Sequence, residues 1–212
     1  MIKEVKINLL DKIKKELLNI PEEVIILWIM PIAETKGWPP LEHDQWDKKV
    51  TGELFSFWND ATWEKKILDL EKIKYYNTYY DAMNGLNDAY INDKPNNYSS
   101  LINGKERFFS CFNYILENGN FPKPPIMCLN EINEYEVLDG NHRFFAFLKA
   151  PKTCKEYKML PNQEQINFLK KLGINNIVPT DTNQEVWICK PKWENSKDAQ
   201  TRQYLRKHNY FC

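Results

Sequence analysis

Apolar residues set the first prediction. Val5, Leu9, Ile13 and Leu17 recur every four residues, which predicts an amphipathic helix over Lys3–Leu18 that Pro21 closes. The next run, EEVIILWIM, is rich in β-branched residues and ends at Pro31, which predicts a strand buried on both faces. AETKGWPPLEHD predicts a loop, because Gly37 and the Pro39-Pro40 pair exclude regular structure. From Asp44 to Ile91 the period turns helical and aromatic, with Trp63, Ile67, Leu70 and Ile73 on one stripe and Tyr76, Tyr80, Met83 and Leu86 on another. After the polar break NDKPNNYSS, the segment INGKERFFSCFNYILENGN predicts a helix carrying Phe108, Phe112 and Ile115, stopped by Asn118-Gly119. Two short strands follow, PPIMCL and EYEVL, and then the helix NHRFFAFLKA ending before Pro151. QEQINFLKKLG predicts a helix with a glycine stop, QEVWICKP a late strand, and SKDAQTRQYLRKHNY a polar C-terminal helix. Helices and short strands mix without regular β-α-β alternation, so the expected class is α+β.

Composition narrows the class. The chain has 212 residues, enough for a sizeable core, and 29 basic against 29 acidic residues. Zero net charge supplies no global field toward nucleic acid or membrane, so nucleic acid is an unlikely partner. The N-terminal charges interrupt any signal-peptide core, and VIILWIMPIA is apolar for only about ten residues where a bilayer needs about twenty. The five cysteines include no C-x-x-C pair and are expected as reduced thiols, which favours a cytoplasmic protein. Glu42, His43 and Asp44 are of metal-ligand type, but three adjacent residues do not normally converge on one ion, and no metal site is expected.

The chemistry concentrates in YEVLDGNHRFFAF, where a strand runs into a helix with no linker. A helix N-terminus leaves backbone N–H groups unpaired and carries partial positive charge, which suits an anion, typically phosphate. Gly140 admits a ligand close to the main chain, Asn141 is a favourable N-cap, and Arg143 offers a planar fork for phosphate oxygens. His142 can donate to phosphate or move a proton near neutral pH. Asp139 can hold a ribose hydroxyl, orient His142 or contact a metal ion. A plain turn with a helix cap and a solvated arginine is the competing reading of the same residues.

The segment PPIMCLNEINEYEVLDGNHRFFAFLKA, preceded by a helix ending ENGNF, resembles the ParB/sulfiredoxin superfamily over about a quarter of the chain. In that family a helix with a glycine end leads to a strand opening with proline, and a second strand ends in a Gly-X-X-Arg loop heading a helix. The resemblance implies a small mixed sheet with packed helices and a nucleotide whose phosphates sit on Gly140, Asn141, His142 and Arg143. Asn141 occupies the position of the reactive cysteine of sulfiredoxins, which argues against sulfinic acid reduction. The second arginine of partition proteins is missing, and no helix-turn-helix is evident. The kinase-like members are more similar, since their loop often reads Asp-Gly-X-His-Arg. By the same resemblance an acidic residue after the first core strand serves as base, which makes Glu34 the candidate base and Lys36 a candidate phosphate ligand, beside His142 and Asp139 as catalytic candidates.

The expectation is therefore a single ParB/sulfiredoxin-like domain over residues 1–212, with 38–100 as an aromatic-rich helical insertion. Its expected activity is phosphotransfer or hydrolysis using ATP or another nucleoside triphosphate with Mg²⁺, toward an unidentified small-molecule or protein acceptor. A non-catalytic nucleotide-sensing module is the alternative, with a ParB-like DNA-binding protein or nuclease behind it. Trp38, Trp46, Trp58, Trp63, Tyr75, Tyr76, Tyr79 and Tyr80 are expected either to pack the inserted helices together or to line a pocket or partner surface.

Overall fold

The computed structural model describes residues 2–41, 43–51, 53–74, 104–130 and 132–193. The elements in chain order are α1 (Ile2–Glu16), α2 (Glu22–Val24), a π-helical turn (Ile25–Ile29), α3 (Met30–Lys36), α4 (Trp46–Thr51), α5 (Phe55–Asn59) and β1 (Thr62–Asp69). They continue with α6 (Gly104–Asn118), β2 (Ile126–Leu129), β3 (Tyr135–Asp139), α7 (Asn141–Met159), α8 (Asn162–Leu172) and β4 (Asn183–Lys190). The strand order β1-β4-β2-β3 makes a small four-stranded sheet. Its centre is mixed: β2 runs antiparallel to β3, with Met127 opposite Val137, and parallel to β4, with Met127 opposite Ile188. The mixed α/β class and the strands around YEVLDG agree with the sequence pattern.

The run EEVIILWIM is not a strand. Val24, Ile25, Trp28, Ile29, Met30 and Ala33 are buried while Ile26 is 46% exposed, the pattern of one helical face. Met30 N–H reaches back to Ile25 O, five residues earlier. This widened turn stands directly before Pro31, whose ring would collide with the i−4 carbonyl of a regular helix. Burial of one face in the core outweighs the weak β preference of the branched side chains. Two further expectations change. The stripe Trp63, Ile67, Leu70 falls on β1 and the turn after it, so 38–100 is not helical throughout. Helix α7 continues through Pro151 to Met159, with Ala150 and Cys154 buried on either side of the proline. The tyrosines at 75, 76, 79 and 80, the polar break and the C-terminal helix lie outside the described residues.

The described residues fall into two compact units. The first, among 1–66, 126–139 and 187–211, has a core centred on aromatic rings. Trp28 contacts Trp58 at 5.9 Å and Phe55 at 6.3 Å, and Trp58 is 1% exposed, so these rings of the aromatic segment pack as core. Asn130, 1% exposed, shapes the β2–β3 turn by accepting from Ile132 N–H at 3.0 Å and Glu134 N–H at 2.9 Å. Glu64 on β1 pairs with Lys190 on β4, which with Lys66 holds its carboxyl below the usual range. Cys128 and Cys189 stand opposite each other in register as buried thiols outside any disulfide, and burial pushes the Cys189 thiol far up.

The second unit lies among 67–125 and 140–186. Helices α6 and α7 pack along each other through Phe108, Phe112, Ile115 and Leu116 on one and Phe144, Phe145 and Phe147 on the other, all buried. Beyond α6, Gln184 is 3% exposed. Its Oε1 accepts from Phe121 N–H at 3.0 Å, and its Nε2 donates to Gly119 O at 3.3 Å and Asp181 O at 2.7 Å. Gln184→Ala leaves Phe121 N–H and Asp181 O without this partner, while Gly119 O keeps the bond from Asp181 N–H, so urea unfolding should show a loss of about 2 kcal/mol. A midpoint unchanged from wild type would show that the network carries no stability.

Candidate functional site at the head of α7

Strand β3 ends at Asp139, paired in register with Ile126, and the chain turns into α7 within one residue. That residue is Gly140, which occupies the N-cap with φ 92° and ψ 24°. Such a conformation is rarely adopted by a side-chain-bearing residue. The cap is thus glycine and not Asn141, which becomes the first helical residue; no side chain caps this helix. Phe144 N–H donates to Gly140 O at 2.8 Å and opens the helical ladder. The amides of Asn141, His142 and Arg143 precede that first bond, so the helix leaves them to other acceptors.

Arg143 folds back over this turn. A Cβ placed on Gly140 would meet Nη2 at 2.7 Å and Nε at 2.8 Å, so the guanidinium occupies the side-chain position that glycine leaves open. Helix α6 adds two residues that the motif did not suggest. Arg107 acts electrostatically on both His142 and Cys111, and Arg143 acts on Cys111 as well. Arg107 and Cys111 are four residues apart and share a helix face, the only hint of them in the sequence. Burial pushes the Cys111 thiol up, and the two arginines pull it part of the way back.

His142 is half-buried, and its Nε2 has no hydrogen-bond partner among the described residues; the same holds for Asn141 Oδ1. Burial first, and Arg107 second, lower the His142 pKa from its ordinary 6.5. Protonation is then harder in the folded chain than in the unfolded one. The unfolded chain takes up the proton first as pH falls, so stability present above 6.5 is lost between that value and the lowered folded pKa. Urea midpoints between about pH 5 and 8 should fall on the acid side in wild type, with a shallower fall in His142→Gln. Parallel profiles would sink this assignment.

Arg143 and Arg107 thus place positive charge near a helix N-terminus in the second unit, beside Gly140 and a His142 whose charged form burial disfavours. Glu34 and Lys36 are exposed residues of α3 in the first unit. The expected setting for Glu34, just past a core strand, does not exist, because that segment is helical. Among the described residues, no helix is long and apolar enough to cross a membrane, and no cluster of His, Cys, Asp and Glu is grouped to hold a metal ion. No family model, no curated protein and no solved structure matches this chain.

Proposed function

We propose that the head of α7 is a nucleotide-phosphate cradle and that the protein is a ParB/sulfiredoxin-like phosphotransferase or NTP hydrolase. The observation that carries this reading is the pairing of Gly140 with Arg143: a left-handed glycine cap whose missing side chain is replaced by a guanidinium at the N-terminus of a 19-residue helix. A fork of N–H donors, the first-turn amides and the positive helix end favour one kind of partner, a multiply charged oxyanion. The resemblance of the DGNHR segment to kinase-like members of the superfamily supports a nucleoside triphosphate over a simple anion.

The residues suit such a ligand in distinct ways. Arg143 and Arg107 would neutralise phosphate charge, and His142 Nε2 would donate to a phosphate oxygen in the protonated state that an anion favours. Asn141 Oδ1 is an acceptor and suits a ribose hydroxyl better than a phosphate. Asp139 can serve a hydroxyl or the Mg²⁺ that accompanies triphosphates. Such an ion would offset the charge of the phosphates. Transfer of the γ-phosphoryl group is mostly positioning and charge stabilisation, for which preorganised positive charge is suited.

The test is a thermal-shift series with ATP, CTP, GTP, ADP and AMP in the presence of Mg²⁺, followed by phosphate-release measurements. A ligand that binds only the folded state at about one hundred times its Kd adds roughly 2.7 kcal/mol to stability. We expect a triphosphate to raise Tm more than its diphosphate, and a monophosphate to have little effect. A shift with turnover supports the enzyme, and a shift without turnover supports a nucleotide-sensing module. No shift with any nucleotide would overturn the reading.

A further inference from the structure

The first unit holds a cavity of about 400 Å³, within the range of small-molecule sites. Its lining combines the rings of Trp38 and Phe55 and the apolar Leu17 with three carboxylates, Glu16, Asp47 and Asp60; among the described residues, no lysine, arginine or histidine lines it. From this combination we infer that the cavity binds an organic ammonium ion with an apolar body, held against the Trp38 ring, which the buried Phe55 backs, and facing the exposed carboxylates of Glu16 and Asp60. This inference is independent of the phosphate reading.

The wall is built firmly enough to present such a surface. Trp38 and Phe55 lie 5.6 Å apart at an interplanar angle of 34°. Behind them, Trp46 is 2% exposed and packs 5.2 Å from Phe55 and 6.2 Å from Trp38. Asp47, 5% exposed, accepts from Phe55 N–H at 3.0 Å through Oδ2, which ties a carboxylate to the backbone of the ring beside it. Aromatic faces attract cations through the ring quadrupole, and a desolvated alkylammonium gains most because little hydration is lost when it is covered. The carboxylates set the sign of the field: an anion would meet acidic groups with no cation among the described lining residues.

Calorimetric titration of the full chain with benzyltrimethylammonium tests the inference against two controls of similar shape, the neutral neopentylbenzene analogue bearing a hydroxyl and the anion phenylacetate. We expect saturable binding of the cation, about tenfold or more weaker binding of the neutral compound, and none of the anion. Raising salt should weaken the cation further. Trp38→Ala should reduce its affinity about tenfold, and the exposed substitutions Asp60→Asn and Glu16→Gln together about fivefold. These last two keep the assay informative if the Trp38 variant is poorly folded. Equal binding of the neutral compound would reduce the cavity to an apolar crevice, and preference for phenylacetate or absence of saturable binding would overturn the inference outright.

Discussion

Arg143→Ala is expected to weaken triphosphate binding about 100-fold, a loss of roughly 2.7 kcal/mol. The guanidinium over Gly140 is the group best placed for two parallel charge-assisted hydrogen bonds to phosphate oxygens. Arg107 on α6 adds positive charge near His142 and Cys111 but lies outside the Gly140 turn that Arg143 covers. Arg143→Lys keeps the charge but not the fork, so its affinity should fall between the two, about tenfold below wild type. The measurement is a titration with Mg²⁺-nucleotide at fixed ionic strength, with unfolding curves showing that each variant is equally folded. Wild-type affinity in Arg143→Ala would remove this loop from any account of nucleotide binding.

Gly119→Ala should cost about 3 kcal/mol of stability with no direct effect on the α7 loop. Gly119 stops α6 at φ 75°, a conformation that side-chain-bearing residues rarely adopt, and a Cβ there would lie 2.7 Å from Pro179 O. The colliding atom is backbone, so relief requires the 178–181 segment to move. That segment is fixed at both ends, because Val178 N–H donates to Leu116 O at 2.8 Å and Asp181 N–H to Gly119 O at 2.9 Å. Moving it therefore disturbs the hydrogen bonds that hold Gln184 as well. Equilibrium urea unfolding reads the effect directly, and a loss below about 1 kcal/mol would mean that the segment yields more easily than its bonding implies.

What the sequence reveals well is punctuation. Gly119 and Gly173 both stop helices with positive φ, and Gly140 marks the strand-to-helix junction, because few other residues adopt these conformations. The strands β2 and β3 are bounded by such residues and were therefore readable. The segment 22–36 was not, since branched residues in a buried run serve helix and strand alike, and only the neighbouring core decides between them. Strand β1 was hidden for another reason: Lys65, Lys66 and Ile67 are all exposed, so it lacks the alternation that marks a half-buried strand. Within the candidate site, Arg143 could be read from its spacing to Gly140, whereas Arg107 comes from a helix more than thirty positions earlier. The reading of Glu34 leaned on a strand at 22–30, a segment that is helical.

The strand order carries a consequence for synthesis. β1 is made early, yet its neighbour in the sheet is β4, and β2 likewise needs β4 to complete its parallel side. Until residues 183–190 leave the ribosome, the sheet lacks the strand that joins β1 to the rest, and β1 presents unsatisfied backbone edges. Nascent chains of this protein should accordingly depend on chaperone cover until residues 183–190 have emerged, and truncation before Asn183 should yield aggregation rather than a smaller folded fragment.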